Sequence, residues 1–329
     1  TGKPELMSNI NKDAILKLLR NEGTLSRADI ARKLNMSFPA VSSNVKALME
    51  SGFVIETGEG DGINGLGRKS TLLAFNARKG FVIGMDAGRS QIRALCSDLL
   101  GEPVATVKKD YDVANGGEYM YEQIENTLLD VISKSNISKE NIESICIGLP
   151  GIYDEEKKIN RLAPFIDNWE NINVAERINK IVNAKVIIDN GVNLGAIGEK
   201  WKGTAQGYQN IVYINFGVGI GAGIIINNEL YRGRNNAAGE IGYMTLEKFF
   251  QRKKYKEEGA LEELISVASL SSNMQFLSKR NEEYRMEEII KLVEQDDINA
   301  KRIISESIVY LSMALTNIVS VLNPELIVM

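Results

Sequence analysis

Residues 211–226, Ile-Val-Tyr-Ile-Asn-Phe-Gly-Val-Gly-Ile-Gly-Ala-Gly-Ile-Ile-Ile, are the stretch of this chain best suited to meeting a ligand with its backbone. The pattern reads strand, turn, strand, with Gly217, Gly219, Gly221 and Gly223 at every second position. Successive strand residues point to opposite faces, so these glycines strip one face of side chains. Two readings follow. The bare amides can approach a phosphate, or another stretch of backbone packs closely on the glycine face. Elsewhere the residue types restrict the chemistry. The 329 residues include no histidine, which excludes Ser-His-Asp and Cys-His catalysis. Cys96 and Cys146 are the only cysteines. They are too few for a structural zinc site, and both lie in apolar runs that suit buried thiols in a reducing cytosol.

The segment Phe81–Cys96 repeats the layout, with a turn at Ala87-Gly88-Arg89-Ser90. Two copies of one hairpin-led unit, about 130 residues apart, predict a duplicated α/β fold with a cleft between the copies. The glycines of 211–226 would then serve as a hinge there. Periodicity predicts helices over 117–134, 192–201, 260–269, 274–296 and 299–322, and strands over 144–149, 186–188 and 326–329. The most apolar stretch is taken to be 211–226, too short and glycine-rich to span a membrane.

Charge is uneven along the chain. The net charge is -4, yet residues 1–78 carry 11 Lys+Arg against 8 Asp+Glu. That basic end has its own pattern. A helix begins near Asn11. Ser26, with Asp29 three residues on, caps a second helix that runs to Leu34. Ser37 caps a third, with Pro39 in its first turn and Val41, Val45 and Leu48 facing inward. Short helices joined by a tight turn form a helix-turn-helix. Ser37, Phe38, Pro39, Ser42, Ser43 and Lys46 are left on the outer face or leading end of the third helix. Small polar side chains there let a helix sink into the major groove of double-stranded DNA, and Lys46 can reach a phosphate. Strands at 53–56 and 71–75 around a glycine-rich tip predict a wing, with Arg68 and Lys69 at its base as backbone contacts.

Five segments in order, Ile83-Gly84-Met85-Asp86-Ala87-Gly88, Leu149-Pro150-Gly151, Asp189-Asn190-Gly191-Val192-Asn193, Gly217-Val218-Gly219-Ile220-Gly221 and Ala238-Gly239-Glu240-Ile241-Gly242, carry a resemblance. Residues 79–329 resemble the ROK family of repressors and sugar kinases. The resemblance implies an actin-like, hexokinase-like ATPase fold of two lobes, and with the winged helix in front it implies a ROK transcriptional repressor.

The departures from that family are informative. ROK kinases carry Asn-Asp where this chain has Asn190-Gly191, and the Asp is their general base; glycine offers no proton acceptor. Asp189 beside it would point to the opposite face if the segment is extended. Arg89 stands in the first phosphate loop, and Val218 replaces a Thr in the second. Tyr243 replaces a zinc- and sugar-binding His. The Cys-rich zinc loop is absent, and a charged segment, 249–258, occupies its place. These departures imply no catalysis, no zinc and no ATP cofactor. Three family residues that hold sugar hydroxyls are retained as Asn190, Glu240 and Glu262. Tyr243 and Trp169 are candidates to cover an apolar sugar face. For Asn190 the alternative is a turn residue with positive φ.

The expectation is therefore an α/β chain of three units: a winged helix-turn-helix at 1–78, a first ROK lobe at 79–190 and a second at 191–329. Its closing C-terminal part looks incomplete beside the family. The expected function is a cytoplasmic repressor of carbohydrate-metabolism genes, a homodimer or homotetramer on operator DNA, with no membrane and with a sugar or sugar derivative as effector. An ATP-dependent sugar kinase with a DNA-binding head, or a ligand-independent DNA-binding assembly module, are the alternatives.

Overall fold

The computed structural model describes residues 4–60, 70–161, 163, 166–246, 259–281 and 284–329. The N-terminal unit begins with α1 (Pro4–Glu22), β1 (Leu25–Ser26), α2 (Arg27–Leu34) and α3 (Phe38–Glu50). α1 starts well before the expected Asn11. Leu6, Met7 and Ile10 on its first turns are exposed, so no buried stripe marks those turns. The caps are as read from the sequence: the Ser26 hydroxyl accepts from the Asp29 amide while the Asp29 carboxylate accepts from Ser26. Ser37 accepts from the Ala40 amide. The wing strands are β2 (Val54–Gly60) and β3 (Ser70–Phe75). β1 adds to β3, giving the order β1-β3-β2. Ile15, Leu19, Ile30, Val41, Val45, Leu48, Val54 and Leu73 make one buried core under these elements.

The first lobe follows after a single 3₁₀ turn at 77–79. It comprises β4 (Phe81–Ala87), β5 (Gln91–Asp98), β6 (Pro103–Asp110), α4 (Gly117–Ser135), β7 (Ile142–Leu149), β8 (Ile152–Asp154), β9 (Ile159–Arg161), α5 (Val174–Asn179) and β10 (Lys185–Asn190). Its main sheet runs β10-β7-β4-β5-β6, parallel from β10 to β4 and antiparallel from β4 to β6. α4 buries Met120, Tyr121, Ile124, Leu128 and Val131 against that sheet.

The second lobe comprises α6 (Gly191–Lys202), β11 (Ile211–Phe216), β12 (Ile220–Ile226), β13 (Glu229–Leu230), α7 (Ala260–Ile265), α8 (Val267–Ser278), α9 (Met286–Glu294), α10 (Ile298–Leu322) and β14 (Leu326–Val328). Its sheet, β13-β12-β11-β14, has an antiparallel meander with a parallel strand beside its first member, as in the first lobe. The single helix expected over 274–296 is two: Lys279 ends α8 in the left-handed conformation, and Arg285 starts α9. α10 is the helix expected over 299–322. It is long and apolar enough to cross a membrane by length and composition, yet it lays Ala300, Ile303, Ala314 and Ile318 into the lobe.

The glycine face of β12 is a packing surface. A Cβ at Gly223 would lie 2.5 Å from Ala196 Cβ and 2.8 Å from the Val192 carbonyl, and one at Gly221 3.2 Å from Val192. Helix α6 thus rests on bare backbone, and its first residue is delivered beside the β11–β12 turn. The adjoining Gly239, at φ +91°, carries the same constraint: a Cβ there would sit 1.8 Å from the Ala222 carbonyl oxygen, to which the chain cannot yield. Gly239→Ala is expected to destabilise the protein by at least about 2 kcal/mol, measured as a lowered thermal midpoint; an unchanged midpoint would refute this packing.

Candidate effector cleft and nucleic-acid interface

A cleft of about 720 Å³ opens between the lobes. The first lobe lines it with Asp86 near the end of β4, with the β4–β5 turn including Arg89, and with Pro150 and Gly151; the second lines it with the β11–β12 turn, Glu240, Tyr243 and Glu262. The two hairpin turns, which the sequence showed as copies, face this one space.

Arg89 stands on the first turn and reaches across to the second lobe, where its Nη2 lies 2.8 Å from Glu262 Oε1. Glu262, on α7, is 9% exposed, and its other oxygen accepts from the Ile220 amide at 2.9 Å. Both carboxylate oxygens are thus oriented before any ligand arrives. Glu240 sits in the cleft wall, where its backbone carbonyl accepts from the Tyr243 amide at 3.2 Å. Burial, with Glu262 adding its charge, raises its carboxyl above the ordinary value of 4.5. Tyr243 is half exposed at the rim.

Asn190 has φ −67° and ψ 136°, extended and not left-handed, and caps α6. Its side chain accepts from the Val192 amide and donates to the Gly151 carbonyl. The amide holds the cleft wall together and keeps one proton and one lone pair for a ligand. Trp169 is a correction. It is 1% exposed, packed in the first lobe's core with Ile166, Ile172 and Val174, and the cleft lining omits it. Its ring is committed to that core and cannot cover a sugar face.

Gly191 is the first residue of α6, and a Cβ there would lie 2.9 Å from Asp86 Oδ1. The sequence reading used Asp86 only as a landmark of its motif. The fold makes it a cleft carboxylate facing Gly191, raised above its ordinary pKa by burial against a smaller opposing effect of Arg93. Asp189 is buried and engaged: it accepts from Asn193 at 3.0 Å and pairs with Arg232 at 2.5 Å.

At the other end of the chain, Ser37, Phe38, Pro39, Ser43 and Lys46 are exposed on α3, and Ser42 is half-buried. Lys46 pairs only loosely with Glu50, at 3.9 Å on the surface, and so remains able to meet a phosphate. Arg68, Lys69 and the 249–258 segment lie outside the described residues. A residue the sequence did not single out steadies this face: buried Asn44 donates to the Ala40 carbonyl and accepts from Ser8, tying α1 to α3.

These features define a class: a winged helix-turn-helix joined to a two-lobed body on the hexokinase-like fold. Residues 82–329 match the ROK family and residues 9–55 the winged helix-turn-helix DNA-binding family. The chain belongs to the ROK family. It is 30% identical over 323 residues to the xylose repressor of Bacillus subtilis (strain 168), covering 98% of this chain and 82% of that protein. It is also 27% identical over 262 residues to the glucokinase of Thermotoga maritima, covering 75% of this chain and 80% of that one. Among solved structures, a ROK family transcriptional regulator described as a homolog of the E. coli MLC protein superposes with a TM-score of 0.74 at 22% identity, over 98% of this chain and 82% of its own. A ROK glucokinase from Streptomyces griseus, in complex with glucose and AMPPNP, superposes at 0.65 and 23% identity, over 75% of this chain and 82% of its own.

Because a side chain at Gly191 meets Asp86, Gly191→Asp sets two carboxylates against each other. It should lower stability by about 1–2 kcal/mol in thermal unfolding, and Asp86→Asn in the same chain should recover much of that. Equal losses with and without Asp86 would contradict the contact.

Proposed function

We propose that this protein is a repressor of carbohydrate-metabolism genes that binds operator DNA through α3 and the wing and senses a sugar-type effector between its lobes. The observation that carries the reading is the pairing of an exposed helix-turn-helix face with a polar cleft in which glycine occupies the base position. Gly191 has no group to deprotonate a hydroxyl, and Asp189 is held by Arg232 and Asn193. The body is therefore a binding domain without catalysis, needing neither zinc nor ATP. Asn190, Glu240, Tyr243 and Glu262 are the effector-contacting residues; carboxylates and amides are natural partners of vicinal hydroxyls. The repressor works in the cytoplasm as a dimer or tetramer, since a winged helix gains affinity by reading two half-sites at helical-turn spacing. The effector acts by favouring one relative arrangement of the lobes, and it shifts that equilibrium only by its differential affinity for the two.

Three measurements test this. Replacing Ser42, Ser43 and Lys46 together by Ala should abolish specific footprinting on the operator while the circular dichroism spectrum is retained; an unchanged footprint would refute the recognition-helix assignment. Incubation with ATP and a panel of pentoses and hexoses should release no ADP beyond background, and stoichiometric release would establish a kinase instead. The third is a pH profile of sugar affinity. Glu240 accepts hydroxyl protons as a carboxylate, and its pKa is raised, so affinity should fall on acidification already above pH 4.5. Asp86 titrates in the same direction, and Glu240→Gln isolates the Glu240 share by flattening the profile. A profile identical in the variant would remove Glu240 from the site.

A further inference from the structure

We propose that the Arg89–Glu262 ion pair is a charge filter, making the cleft a site for uncharged polyols and turning away ligands whose recognised group is an oxyanion. The inference rests on reading the cleft as a sugar site. Arg89 is the cation that a phosphate entering by the β4–β5 turn would meet, and its guanidinium is 2.8 Å from Glu262. Glu262 is buried, so an anion that takes Arg89 for itself leaves a desolvated carboxylate without its counter-charge, which is costly. That anion would also stand among Glu262, Glu240 and Asp86, all of which line the same space. The second cleft arginine, Arg93, faces Asp86 electrostatically and donates to Gln91.

The glycine loop offers no way round this. A Cβ at Gly219 would lie 3.2 Å from Glu262 Oε2 and 3.8 Å from Arg89 Nη2, so the ion pair lies against the bare backbone that would cradle a phosphate. An uncharged polyol, in contrast, can donate hydroxyl protons to Glu240 and to spare lone pairs on Glu262 while the pair stays intact. Arg89 is then a specificity determinant that acts through Glu262.

The test is calorimetric titration of the full chain with inorganic phosphate, glucose 6-phosphate and a panel of uncharged pentoses and hexoses. The wild-type protein should show no phosphate binding. Glu262→Gln keeps an acceptor for the Ile220 amide but removes the charge opposite Arg89, and should raise phosphate affinity on the order of tenfold or more. Adding Arg89→Gln should abolish that gain. The filter is overturned if folded Glu262→Gln gains nothing, if the gain survives Arg89→Gln, or if the wild type binds phosphate as tightly as the variant. If the phosphate series behaves as expected and no uncharged sugar binds the wild type, the filter stands and the sugar-sensor reading fails.

Discussion

The close seating of α6 on the glycine face of β12 is the contact on which the cleft depends. Gly223 admits the Val192 carbonyl and the Ala196 methyl to distances no side chain would permit, and Gly221 admits the Val192 side chain closely. That approach fixes where α6 begins, and α6 begins at the cleft with Asn190 as its cap and Gly191 as its first residue. On the other side of α6, a Cβ at Gly148 would lie 2.9 Å from the Gly191 Cα, so the first lobe is brought equally near. One helix start is thus clamped between both lobes by missing side chains. Arg89–Glu262 and Asp189–Arg232 join the lobes around it.

This arrangement reconciles a kinase-like fold with a regulator's chemistry. Two hairpin turns face one space, with an acidic residue, Asp86, near the end of β4 just before the first. Gly191 leaves room for Asp86, and the β4–β5 turn carries Arg89, paired with Glu262 of the opposite lobe. What remains is a polar, largely self-compensated pocket bridging two bodies, suited to coupling ligand binding to lobe arrangement.

Much of the N-terminal unit was legible because its signals are local. Ser26 with Asp29 and Ser37 with Pro39 mark helix starts within four residues, and the apolar spacing of Val41, Val45 and Leu48 sets the outer face. The repeat of the hairpins was legible for the same reason. Where contacts join distant parts of the chain, sequence reading fell short. The Arg89–Glu262 pair spans 173 residues, and nothing near either residue announces the other. Trp169 was read as a sugar platform since composition does not say which aromatic rings a fold buries. Asn190 lines the cleft, and its geometry is that of a helix cap, because Gly191 starts a helix and does not follow a left-handed turn. β6, β8 and β9 went unread, being short or edge strands with weak alternation. The break at Lys279 was missed since a left-handed lysine carries no glycine signal.

The most direct measurement is the reciprocal coupling between operator DNA and an uncharged sugar. Operator affinity is measured by fluorescence anisotropy with and without saturating sugar, and sugar affinity by calorimetry on the free and DNA-bound protein. Linkage requires both ratios to be the same factor. A sugar-gated repressor predicts a common factor of roughly fivefold or more, the usual range of allosteric coupling. Operator affinity that stays constant while sugar saturates the cleft would contradict it.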